Sequence, residues 1–153
     1  LEDSNSRVRE TAARALGLIE HQNAVKPLMK LLLNPDHDVA ISNTVHSLAN
    51  MATVELVCEA AKDFDSYVPV VQQRIIQLLG NFQCEKSESI MIHSLNSDNE
   101  DTRRYAVRAL GKCGTEKSID PLKNVIIEDV NIISDEARYS LKSIHDRLKR
   151  NNL

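Results

Sequence analysis

A leucine recurs along the chain at a near-constant interval: Leu16, Leu48, Leu79, Leu110 and Leu141, at steps of 32, 31, 31 and 31 residues. A period of that length restricts a chain to stacked repeats, in which each small unit buries its apolar side only against its neighbours. The flanking columns say what the unit is. Three residues after the leucine stand Ile19, Met51, Phe82, Cys113 and Ile144. Four before it stand Ala12, Thr44, Ile75, Ala106 and Ala137, and eight before it Val8, Ala40, Val71, Thr102 and Ile133. Spacings of four, four and three lie on one face of an α-helix. Each copy is therefore expected to open with a helix whose apolar stripe is buried.

Two more columns carry local chemistry. The position after the leucine holds Gly17, Ala49, Gly80, Gly111 and Lys142. A glycine there either caps a helix in the left-handed region or lets a neighbouring backbone come close. Twelve residues before the leucine stand Ser4, Asp36, Tyr67, Asp98 and Asp129. The Asp and Ser oxygens there suit a helix start, where free backbone N–H groups need acceptors and the dipole favours negative charge.

A second helix follows in the first four copies, over about 23–33, 53–63, 85–95 and 117–127. Pro27 and Pro121 fall in first turns, where a missing N–H is tolerated. Val25, Leu28 and Leu32 share a face, as do Ile119, Leu122 and Ile126. Short polar linkers make antiparallel helix pairs. The fifth copy is a single helix over about 134–150, with Ala137, Leu141, Ile144 and Leu148 inward. Its polar finish, Lys149 to Asn152, suits an end cap. The expected fold is all-α: one domain over 1–153, with repeats at about 4–35, 36–66, 67–97 and 98–128 and a partial one at 129–153. The first residue is Leu1, and the chain reads as a piece of a longer one. The first helix is expected to turn an apolar flank outward, towards further repeats or another surface.

Composition agrees with packed aliphatic helices. Apolar residues make up 42% of the chain, aromatics 3%, and there is no Trp. The net charge of −3 lacks the basic excess that phosphate contacts require, so no nucleic-acid partner is expected. No apolar run reaches the length of a membrane span. Cys58, Cys84 and Cys113 are widely spaced, without a Cys-x-x-Cys pair, and read as small buried residues of a reducing compartment. The expected location is cytoplasmic. The five histidines, at 21, 37, 46, 93 and 145, contain no pair four apart on a helix. No phosphate loop or nucleophile elbow is present. Neither metal nor cofactor is expected, and nothing sets an oligomeric state.

The pattern Val8-Arg9-x-x-Ala12-Ala13-x-Ala15-Leu16-Gly17 followed by Ala24-Val25-x-Pro27-Leu28 resembles the HEAT-like repeats first described in phycobilin lyase subunits. It returns in the fourth copy around Arg103, Ala106 and Arg108-Ala109-Leu110-Gly111, then Pro121-Leu122. The second and third copies depart from it, with Ile41 and Gln72 at the arginine position and no proline–leucine pair. The resemblance implies a right-handed α-α superhelix whose second helices line the concave face. It also implies a binding scaffold, since most of the class serves as one. One related enzyme family, deoxyhypusine hydroxylase, places His-Glu pairs where this chain has Glu10-Thr11 and Arg104-Tyr105, so its di-iron chemistry is not expected. HEAT-like DNA glycosylases use a basic, aromatic-rich concave face, which this acidic chain lacks.

The expected function is a non-enzymatic scaffold that holds a protein or peptide along the second helices. The alternative is a bilin lyase-like or chaperone-type subunit acting on a chromophore-bearing protein. By register, the outward positions of the second helices include Lys26, Met29, Lys30, Leu33, Lys62, Ser89, His93, Lys123 and Asn124. Lys30, Lys62, His93 and Asn124 share one column. With Lys26 and Lys123 they form a mildly basic stripe, interrupted by Glu59, Asp63 and Asp120, that would suit an acidic partner. Arg9 and Arg103 are expected to link copies through Asp36 and Asp129. Arg14 and Arg108 are expected to be solvated.

Overall fold

The computed structural model describes residues 1–36, 41–128 and 132–151, with only the backbone at 41 and 42. Ala40, Asp129 and Asn152, named above, lie outside these residues, as does the His37-Asp38 pair. The described residues are all-α: α1 (Ser6–Ile19), α2 (Val25–Leu33), α3 (Ile41–Met51), α4 (Val54–Ala60), α5 (Pro69–Leu79), α6 (Glu85–Ser94), α7 (Glu100–Cys113), α8 (Ile119–Glu128) and α9 (Ile132–Asn151). Short 3-10 turns at Gln22–Ala24 and Glu116–Ser118 lead into α2 and α8. They explain why both prolines are accommodated, since each sits at the third position of its α-helix, just past the turn.

The chain divides into two compact units, Leu1–Leu78 and Leu79–Leu153. In the first, α1 packs beside α3, and α2 packs on α3. In the second, α7 packs beside α9, α8 packs on α9, and α6 packs on α7. The arrangement α1-α2-α3 thus returns as α7-α8-α9. That is the relation expected between one copy and the first helix of the next.

The leucine column divides by position. Leu48, Leu79 and Leu110 are fully buried, whereas Leu16 and Leu141, in the first and last copies, are half-buried. The stripe is correspondingly incomplete in α1. Val8, Leu18 and Ile19 are exposed, and Arg9 and Ala13 are buried instead. The side of α1 that α3 covers is turned one residue from the predicted stripe, and no described residue covers the Val8–Ile19 edge. The outward apolar flank is therefore present.

The glycine column serves close approach. Gly17 and Gly111 lie inside their helices, without a left-handed φ. A Cβ on Gly17 would stand 1.8 Å from Ser47 Oγ, and one on Gly111 would stand 2.6 Å from Ser140 Oγ and 3.2 Å from Ser140 Cα. Both serines precede the column leucine of the following copy. The left-handed residue that ends α1 is Glu20, with φ of 51°.

The helix starts fall one residue later than expected. Asn5 accepts from the Arg7 N–H at 2.9 Å, and Asn99 accepts from the Thr102 N–H at 2.9 Å. Ser4 and Asp98 contribute backbone carbonyls instead, as shown below. Met29 is also a correction: at 7% exposure it belongs to the core, because α2 is covered on a wider face than Val25, Leu28 and Leu32 define.

Leu110→Ala should cost about 2–5 kcal/mol, as for a fully buried leucine. Gly111→Ala should destabilise by about 1–3 kcal/mol, because the crowding against Ser140 outweighs a helix-propensity gain of about 1 kcal/mol. Adding Ser140→Ala should recover only part of that loss, since the serine Cβ and Cα remain close. Urea unfolding of the three variants checks this. A more stable Gly111→Ala protein would show that α7 and α9 can separate freely.

Candidate functional site

The second helices carry the predicted site. On α2, Val25, Leu28 and Leu32 are buried, so Lys26 and Lys30 fall on the open side of the helix. On α8, Leu122 and Val125 are buried and Lys123 and Asn124 are exposed. His93 is exposed near the end of α6, and Lys62 follows α4. Lys26 and Lys30 thus come together in the first unit, and Lys123 and Asn124 in the second.

Most of these lysines already hold a carboxylate. Lys30 donates to Glu2 Oε1 at 2.6 Å, and Lys62 donates to Glu59 at 2.6 Å. Lys123 donates to Asp120 at 2.8 Å. The hydrogen bond to Glu2, then its charge, raises the Lys30 pKa. Lys26 makes no ion pair with a described residue. These pairs are open to water, where ion pairs add little to stability. Lys30 also borders a hollow of about 260 Å³ with Leu1, Glu2, Pro27 and Leu31. Asn124 borders one of about 200 Å³ with Ile92, Leu95, Asn96 and Pro121.

A second charged arrangement lies between first helices. Glu136 on α9 accepts from Arg108 Nη2 at 2.5 Å and Nε at 3.1 Å, and from Arg104 at 3.2 Å. Arg108 is therefore paired across copies rather than simply solvated. Burial works to raise the Glu136 pKa, but the hydrogen bonds from Arg108 and then Arg104 outweigh it, and the carboxyl stays below its ordinary range. The lone signal in the sequence is an acid at the column five before the leucine, which the apolar columns do not draw attention to.

The arginine column serves the backbone. Arg9 donates to the carbonyls of Asp3 at 2.7 Å and Ser4 at 3.0 Å. Arg103 donates to those of Ser97 at 2.8 Å and Asp98 at 3.4 Å. The expected link from Arg9 to Asp36 is replaced by these bonds, because a guanidinium folded back over its own helix start reaches two carbonyls at once. The partner expected for Arg103, Asp129, lies outside the described residues. Gln72, at the same repeat position, donates to Phe64 O at 3.1 Å, and Ser134 to Ile126 O at 3.3 Å. Elsewhere Arg74, 3% exposed, reaches Leu32 O and Asn34 O. Arg147 caps α7 through Gly111 O, Lys112 O and Gly114 O.

Sequence reasoning also passed over Glu88. It is buried on α6 at a repeat position held elsewhere by Val25, Val57 and Ile119. The Thr115 N–H donates to it at 2.7 Å, and the hydroxyls of Thr115 and Ser118 also donate. Glu88 thereby ties α6 to the turn that begins α8. All three cysteines are free thiols, but only Cys113 is buried. Cys84 opens α6, its sulfur accepting from the Ser87 N–H at 3.3 Å, so it caps a helix as well as filling space. Burial pushes the Cys113 thiol up to about 11. Among the described residues, no three His, Cys, Asp or Glu side chains stand together to hold a metal ion, and no helix is long and apolar enough to cross a membrane.

The sequence model of the HEAT repeats family matches residues 1–49 and 54–142. No curated protein gives a significant match.

Because Glu136 has a lowered pKa, its pairing should contribute stability above its ordinary pKa of about 4.5, lost as pH falls through the lower folded value. Glu136→Gln should cost about 1 kcal/mol at pH 7 and flatten the stability profile in that acid window, measured by urea unfolding between pH 2 and 6. For Cys113 the raised pKa means that the folded protein keeps its proton longer than the unfolded chain. Its contribution should be intact below about 9 and fall as pH rises towards about 11. At pH 8 native Cys113 should resist iodoacetamide while the unfolded chain reacts, as mass spectrometry of the alkylated peptides would show.

Proposed function

The chain belongs to the HEAT repeats family, and from that premise we propose that it is a non-enzymatic scaffold whose second helices hold an acidic protein or peptide. HEAT repeats commonly mediate protein–protein interaction. The observation that best supports the reading is the repeated division of α2 and α8. One face of each is committed to the core, and the other offers Lys26 and Lys30, or Lys123 and Asn124, to solvent. Exposed lysines are compact, hydrated charges on flexible stems, suited to a partner whose carboxylates need not be rigidly placed. Their present carboxylate neighbours keep the face near neutrality until a partner displaces them. Lys62 follows α4 in the first unit, and His93 stands near the end of α6 in the second. The narrower assignment to the phycobilin lyase class of repeats draws its support from the first and fourth copies, which carry the full arginine, glycine and proline–leucine pattern.

Charge reversal tests the reading. Lys26→Glu, Lys30→Glu and Lys62→Glu together should weaken a captured partner at least tenfold, and the binding of the unaltered chain should fall with added salt. Equal binding by the triple variant would remove these lysines from the interface.

A further inference from the structure

We propose that the groove between α1 and α3 is a seat for a carboxylate side chain of a partner protein, held by Arg14. The inference rests on the reading of the chain as a protein-binding scaffold but places a contact on the first helices. The groove has a counterpart within the same chain, between α7 and α9. Two close approaches fix the equivalence: Gly17 meets Ser47 as Gly111 meets Ser140. Three residues before each glycine stands an arginine, Arg14 or Arg108. Four residues before each serine stand Asn43 and Glu136, respectively. In the second groove Glu136 fills the space beside Arg108 with a two-pronged bond. In the first, the equivalent position carries a neutral amide, and the Arg14 side chain makes no hydrogen bond or ion pair with a described residue.

The space is open and polar. A hollow of about 110 Å³ is bordered by Arg14, Gly17, Asn43, His46, Ser47 and Asn50, with Leu18 and Glu20 also on its wall. Arg14 offers a planar fork that matches a carboxylate, and the amides of Asn43 and Asn50 add neutral donors. Glu20 opposes a dianion more strongly than a single carboxylate, which favours an acidic side chain over a phosphate group. Glu10, one turn before Arg14, stands where the second groove has Arg104, so the first groove has one cation and accepts one carboxylate. Leu18, 80% exposed, lies beside it as an apolar contact for the stem of the incoming residue.

The test uses the whole chain, labelled with nitrogen-15, and a capped pentapeptide of alternating alanine and glutamate. Its glutamine counterpart and inorganic phosphate serve as controls. The glutamate peptide should shift the Arg14 Nε–H signal and the backbone amides of Gly17 and Ser47, and the glutamine peptide should not. Arg14→Gln should weaken these shifts at least tenfold in apparent Kd. Asn43→Glu should do the same while remaining folded, because it supplies the missing carboxylate from within. Shifts that persist in Asn43→Glu, or that phosphate produces equally well, would overturn the seat. So would peptide binding lost only in the Lys26, Lys30 and Lys62 reversal variant, an outcome that keeps the scaffold reading on the second helices. Loss at Arg14 with the lysine variant unaffected supports the seat and removes the lysine stripe.

Discussion

Stacking helices brings the turns between them against protein rather than water, and every carbonyl oxygen covered there needs a donor. Leaving one unmet costs on the order of 1–3 kcal/mol. This constraint accounts for a set of side chains that otherwise look unrelated. Arg9, Gln72, Arg103 and Ser134 occupy one repeat position; the first three donate to carbonyls ahead of their own helices, and Ser134 to one in the last turn of α8. Arg74 and Arg147 do the same for the ends of α2 and α7. The apolar columns bring the helices together, and these donors make it tolerable for the turns to be covered.

Glu88 answers the opposite need. The start of a turn presents N–H groups without acceptors, and a carboxylate buried at 4% exposure takes one N–H and two hydroxyls from Thr115 and Ser118. A valine or isoleucine holds that repeat position in the other copies, so the third copy exchanges a methyl contact for a polar one. Burying a charge is tolerable only with such full pairing.

The leucine column and its neighbours made most of the helices legible, because a helical period of apolar residues is a local property of the chain. The second helices were placed to within a few residues, and the outward lysines followed from the same register. What the sequence could not provide is direction across copies. Lys30 with Glu2, and Arg108 with Glu136, are separated by 28 residues each, and nothing local selects those carboxylates among many. The arginine column was legible as a column, but the role of Arg9 was not. A charge suggests an acidic partner, whereas a guanidinium has five donors that suit carbonyl oxygens equally well. Gln72 and Ser134 looked like departures from the pattern for the same reason, since their function is shared while their charge is not. In the first copy, the exposed Val8 and Ile19 show the limit of a column argument: the pattern marks a face fit for burial, and a neighbour must still be there to bury it.

The glycine–serine contacts make spacing between copies a matter of two small residues set about 30 positions apart. Any copy ending in the glycine can receive any copy that presents the serine, so the junction works as an interchangeable coupling. Ala49 and Leu78 hold the corresponding places where the second copy meets the third. The small-residue pair is therefore not repeated at that position. A gene built this way can lengthen by duplicating copies whose ends carry that glycine and that serine.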